Sequence, residues 1–137
     1  MPRDLPIGNG NLMINFDREY NIRDVYYPHV GQDNQTVGDV SFFGVWCDGH
    51  FAWIGNPTWE KSLDYEDSTL VTRVRATSQL LGLDMTISDA VDFDRDLFLR
   101  RVVLRDTRGT ARRARLYIHF DPHLWGNAIG DTIFYDP

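Results

Sequence analysis

The chain has a single cysteine, Cys47, so no internal disulfide can staple it. It also has one lysine, Lys61, against thirteen arginines, and three glutamates (Glu19, Glu60, Glu66) against seventeen aspartates. No apolar run approaches the roughly 18 residues that span a bilayer. The start, Met1-Pro2-Arg3-Asp4, has neither the basic nor the apolar block of a signal peptide. Both absences set a cytoplasmic protein with no membrane partner as the expectation. No window carries a capped apolar stripe of period 3.6, which argues against long helices. Nucleotide and nucleophile motifs are missing too: there is no P-loop, no G-x-G-x-x-G and no G-x-S-x-G, and Gly8-Asn9-Gly10 lacks the following helix and lysine. No cofactor is expected.

What remains is ample for one domain. The 137 residues are 42% hydrophobic and 25% charged, enough to bury a core and too apolar for a disordered segment. The net charge of −6 disfavours non-specific binding to nucleic acid. Two arginine clusters, Arg100-Arg101-Arg105 and Arg108-Arg112-Arg113-Arg115, read as a solvated hairpin face offset by Asp94, Asp96 and Asp106.

Apolar residues recur with period two. Leu12, Ile14 and Phe16 alternate with Asn11, Met13 and Asn15; Leu70 to Ala76, Leu81 to Ile87, and Leu116, Ile118 and Phe120 show the same period against their own neighbours. Such runs are strands with one face on a core. Leu12, Ile14, Phe16, Val45, Leu83, Met85, Leu116, Ile118 and Phe120 are therefore the expected core. The segment Phe42–Cys47 is apolar on both parities and should be covered on both faces. Asp48-Gly49 predicts a tight hairpin, because both central positions of a type I′ turn need positive φ. Arg108-Gly109 predicts a second hairpin, joining 97–105 to 112–120. Mixed parity in 97–105 suggests a bulge near Arg100-Arg101. The expected fold class is all-β, an antiparallel β-sandwich of eight or nine short strands.

Candidate chemistry is sparse. His119, Asp121 and His123 lie within five residues, but their spacing reads as a strand end followed by a proline turn, so no metal site is expected. Paired carboxylates for glycoside hydrolysis find no support, since most aspartates sit where turns need them. The unusual segment is 21–35. It leads from a strand into a loop with Tyr26, Tyr27, Pro28, His29 and several amide or acid side chains. Aromatic faces beside amides and carboxylates suit sugar rings and their hydroxyls. Tyr26, Tyr27, His29 and Asn34 are the candidate substrate or interdomain contacts; a loop that packs its tyrosines on the sheet is the structural alternative.

Several stretches resemble one family in order. They are Leu5-Pro6-Ile7-Gly8-Asn9-Gly10-Asn11-Leu12, Ile22-Arg23-Asp24-Val25-Tyr26-Tyr27-Pro28 with Val30-Gly31-Gln32-Asp33-Asn34, and Gly130-Asp131-Thr132 with Tyr135-Asp136-Pro137. Between them, Phe43-Gly44-Val45-Trp46 before Asp48-Gly49 and Asp89-Ala90-Val91-Asp92 before Leu99-Arg100-Arg101-Val102 fit the same pattern. The chain resembles the N-terminal β-supersandwich region, galactose-mutarotase-like in architecture, of glycoside hydrolase family fifteen: prokaryotic glucoamylases, glucodextranases and trehalase-like proteins. That resemblance implies an inverting hydrolase of α-glucosidic bonds, with its catalytic glutamates in an (α/α)6 barrel after the sandwich. Here the barrel is absent and no catalytic residue carries over. Residues 1–137 thus read as a truncated N-terminal β-sandwich domain, accessory to α-glucoside hydrolysis and inactive alone. The implied partners are the catalytic barrel of the parent protein and an α-glucan or oligosaccharide. A free-standing carbohydrate-binding module and a ligand-free oligomerising β-domain are the alternatives. The apolar strand Thr132–Tyr135, with nothing after it, suggests a cut chain that associates with itself as a homo-oligomer.

Overall fold

A computed structural model describes residues 5–126. The expected strand at Thr132–Tyr135 lies outside the described residues. Ten strands follow one another: β1 (Leu5–Gly8), β2 (Met13–Phe16), β3 (Ile22–Tyr26), β4 (Phe42–Cys47), β5 (His50–Trp53), β6 (Glu60–Tyr65), β7 (Thr72–Ser78), β8 (Leu83–Val91), β9 (Phe98–Asp106) and β10 (Ala114–His119). All pairings between them are antiparallel. They form three sheets, ordered β1-β2-β3, β10-β4-β5 and β6-β7-β8-β9. This is the all-β sandwich that the alternating runs predict. No helix among the described residues is long and apolar enough to cross a membrane.

The core draws on every sheet. Ile7, Ile14 and Phe16 come from the first, Phe43, Val45 and Cys47 from the second, and Val74, Ala76, Met85 and Ile87 from the third. In β4 the odd positions face this core. The even ones meet the rings of β5 and β10 on the other side, as the two-sided apolarity of that strand requires. Gly44 is needed there: a Cβ would sit 2.7 Å from atoms of both Phe51 and Trp53. The β4–β5 turn has Asp48 at φ 49° and Gly49 at φ 81°, matching the expected tight hairpin.

Other expectations are corrected. Leu5–Gly8, although Pro6 and Gly8 are residues that favour turns, is a strand paired with β2. The β8–β9 register runs unbroken from Leu83↔Asp106 to Val91↔Phe98, so there is no bulge at Arg100-Arg101; the irregularity lies at Asn15/Phe16. Mixed parity in β9 has a different cause. One face carries Phe98, Val102 and Leu104 towards the core, while Leu97, Leu99 and Val103 are exposed.

Arg108-Gly109 does not close a hairpin either, because β9 pairs with β8 and β10 pairs with β4. The connection crosses between sheets instead, and Arg112 pins it. Its guanidinium donates to Asp106, to Asp48 Oδ2 at 3.1 Å and to the carbonyls of Leu81 and Gly82 at 2.8 and 2.6 Å. This bond holds the Asp106 carboxyl below the usual range. One arginine thereby joins the connection, the β4–β5 tip and the β7–β8 turn.

Leu116, Ile118 and Phe120 share the face of Val45 and Phe43 but are 43%, 69% and 50% exposed, so they are not core. β10 is an edge strand, and no sheet covers its inner face among the described residues.

Arg100 is likewise not on a solvated face. It grips Asp89, which is fully buried, with Nε at 2.9 Å from Oδ1 and Nη2 at 2.6 Å from Oδ2. Tyr20 Oη donates to the same carboxylate at 2.8 Å and lies 2.6 Å from Thr72 Oγ1. Burial, then the Asp89 charge, pushes the Tyr20 phenol well above its ordinary value of 10.0.

Two outcomes follow from this cluster. Arg100→Met strands a buried carboxylate and should cost about 3–5 kcal/mol in urea unfolding; a loss under about 1 kcal/mol would place the pair among ordinary surface bridges. Alkaline pH should also destabilise the fold. Above pH 10 the unfolded chain releases a phenolic proton that folded Tyr20 keeps, so stability falls as pH rises, approaching about 1.4 kcal/mol per pH unit. The difference between wild type and Tyr20→Phe across pH 9–11 isolates that slope.

Candidate functional site

The 26–36 loop follows β3 and returns through an isolated bridge between Tyr26 and Asn34. Its base is a polar clasp around Asp24. Asp24 Oδ2 accepts from Arg23 Nε at 2.7 Å and from Asn15 Nδ2 at 3.0 Å, while Oδ1 accepts from Asn34 Nδ2 at 2.9 Å. Asn34 Oδ1 accepts from the Val25 and Thr36 amides at 3.1 and 3.2 Å and from Thr36 Oγ1 at 3.0 Å. A short amide is the right group for this position, since it offers both donor and acceptor within reach of two backbone strands. Gly31 has φ 108°, which an L side chain adopts only under strain.

A cavity of about 500 Å³ opens beside this loop, within the size range of small-ligand sites. Its apolar wall comprises Leu12, Val25, Tyr27, Phe120, Pro122 and Trp125, with Leu124 beside them. Gln35, Thr36 and Asp96 supply the polar groups. Gln35 also builds the wall: its Oε1 accepts from the Trp125 amide at 2.8 Å, and its carbonyl from the His123 amide at 2.7 Å. Asn9 braces two of the lining residues, Leu12 and Asp96. Its Nδ2 donates to the Asp92 and Arg95 carbonyls at 3.0 and 3.1 Å, and its Oδ1 accepts from the Leu12 amide at 2.9 Å.

The four residues singled out from sequence are separated by this geometry. Tyr27, 41% exposed, lines the cavity. Tyr26 is half-buried and opposite Met13 in the sheet. His29 is exposed and lies 3.2 Å from Gln32 Nε2 through its own Nε2. Asn34 turns its side chain to the clasp rather than to the cavity. Sequence reasoning missed Phe120, Trp125, Gln35 and Asp96. The aromatic-rich stretch after β10 was the available signal for the first two.

Chemically, the cavity can stack and hydrogen-bond a ring-shaped polar ligand. Among the described residues Asp96 is the one carboxylate in its lining, whereas inverting or retaining glycoside hydrolysis takes a pair. The glutamates are elsewhere: Glu19 lies 3.3 Å from Lys61, Glu66 lies 3.6 Å from Arg73, and Glu60 is exposed on β6. No family model, curated protein or solved structure matches the chain.

The clasp can be tested directly. Asn34→Ala should leave the Val25 and Thr36 amides without their acceptor and cost about 1–2 kcal/mol. Hydrogen exchange at those two amides should accelerate while exchange in β8 stays unchanged.

Proposed function

We propose that this chain is an accessory β-sandwich of a glucoamylase-like α-glucoside hydrolase, and that its cavity presents a sugar or a sugar-proximal contact to a catalytic barrel. The observation that carries the reading is Tyr27. Its ring is left partly exposed at a cavity edge by a loop that a part-buried polar clasp ties to β3. Preorganised aromatic surface with a few fixed polar groups is how proteins hold pyranose rings at small entropic cost. The exposed strip Leu116, Ile118 and Phe120 runs into the same cavity through Phe120, which supports a larger body packing on this side. The resemblance to family fifteen in 5–12 and 22–34 supplies the choice of α-glucosides.

A second reading rests on a different surface. The outer face of β10-β4-β5 carries Phe51 and Tyr117, 39% and 43% exposed, with Trp53 edge-on to Phe51 at 4.5 Å. Such a face suits a free-standing carbohydrate-binding module.

Two measurements separate these readings. The 137-residue chain should not hydrolyse maltose, trehalose or isomaltose, and a chain extended past Pro137 should. Hydrolysis by the short chain that is lost in Glu60→Gln or Glu66→Gln would defeat the accessory reading. Titration of maltotriose into the short chain, read by tryptophan fluorescence, should lose its response in Trp125→Phe and weaken about tenfold in Tyr27→Ala, the scale of one lost stacking contact. A response that disappears in Trp53→Phe and persists in Trp125→Phe selects the platform instead.

A further inference from the structure

We propose that Asp39, Asp121 and His123 form a binding site for a first-row divalent cation, zinc by their donor set, which staples the segment after β10 to the loop before β4. The stretch His119-Phe120-Asp121-Pro122-His123 does not converge on itself. His119 stacks on Phe42 at 4.6 Å between ring centroids. Asp121 and His123 instead meet Asp39, some eighty residues earlier in the chain, and one ligand atom from each lies within 4.8 Å of the others. Pro122 sits between the two later ligands and itself faces the cavity.

The separations suit a shared ion. Zinc bonds of about 2.0–2.1 Å in a tetrahedron place ligand atoms about 3.3 Å apart. His123 Nε2 lies 3.1 Å from Asp39 Oδ2 and 3.7 Å from Asp121 Oδ1, on either side of that value.

The second observation concerns the imidazole. Its Nε2 atom is buried yet makes no hydrogen bond, despite these two carboxylate oxygens. A buried ring nitrogen at ion-pair distance from two carboxylates, with a well-directed hydrogen bond to neither, leaves free energy unrecovered. Coordination to an ion held in common by the three groups accounts for it.

The ligands are also held in place from the backbone. The His123 amide donates to the Gln35 carbonyl at 2.7 Å, the Asp39 amide to the Thr36 carbonyl at 2.8 Å, and the Asp121 amide to Ser41 Oγ at 3.3 Å. Apart from His123, neither carboxylate has a side-chain partner among the described residues. One imidazole with two carboxylates favours zinc over calcium or magnesium, which prefer all-oxygen shells. A shared ion would tie Pro122 and the 123–125 segment to the loop of Gln35 and Thr36, one wall of the cavity.

The test uses the full chain, stripped with chelator and titrated with zinc chloride by calorimetry. One equivalent should bind and raise Tm, and magnesium or calcium should not replace it. Asp39→Asn and His123→Gln should each weaken zinc binding at least about tenfold and abolish the Tm shift, with near-ultraviolet circular dichroism unchanged. His119→Gln should bind as wild type does. Failure of the wild-type chain to take up zinc overturns the site. So does uptake that survives undiminished in either Asp39→Asn or His123→Gln, and preference for calcium or magnesium overturns the zinc assignment.

Discussion

The buried pair between Asp89 and Arg100 is the constraint around which the three sheets are organised. A carboxylate with no exposure is expensive unless its lone pairs are filled. Here the Arg100 fork and the Tyr20 hydroxyl fill them, while Thr72 Oγ1 accepts from the Asp89 amide at 2.8 Å. The guanidinium also lies within 4.7–5.8 Å of the centroids of Phe43, Phe98, Tyr20 and Phe16. Those rings belong to β4, β9, the β2–β3 turn and β2. A single cation thus touches all three sheets, and each must take one position relative to the others to satisfy it. Apolar packing alone would tolerate small slides between sheets; this geometry does not.

The same division of labour recurs in the connections. Asn9 and Arg112 gather backbone groups from segments far apart in the chain, and Asn34 does so across its own loop. They act where the chain passes between sheets and no ladder is available to satisfy backbone donors and acceptors. Asn9 holds the Leu12 amide and Asn34 the Val25 and Thr36 amides, so two of these nodes support residues that line the cavity. Its shape is therefore set by polar side chains of the connections, and its lining by the apolar residues they leave facing inward. That arrangement lets Tyr27 remain partly exposed without the loop losing its conformation.

Edges explain the apolar surface. Among the described residues β10 pairs only with β4, and β9 only with β8, so both end their sheets there. Leu116 and Ile118 continue the inner face of β4 past the point where the opposing sheet covers it. Their exposure is a geometric consequence of a strand placed outside its covering layer. Among the described residues, an inner face left exposed beside an edge strand is a surface on which further structure can pack.

Alternation in the sequence determined most of the strands, though not β1 or β6, and which residues of each share a face. Leu12, Ile14, Phe16, Val45, Leu83 and Met85 are buried as that pattern requires. Asp48-Gly49 determined its own hairpin, because the turn's φ values are a local demand. The Tyr26–Asn34 loop also stood out, since its composition serves no periodic pattern. Tertiary structure alone decided the rest. Period two says that Leu116, Ile118 and Phe120 share a face, but whether that face is covered depends on a strand remote in sequence. Arg100 reads like any other charged residue of β9 until Asp89 stands opposite it in the register. Likewise Asp39 carries no mark that pairs it with His123. Local signals report backbone conformation and facing; burial, ion pairing and ligand geometry arise between segments that only folding brings together.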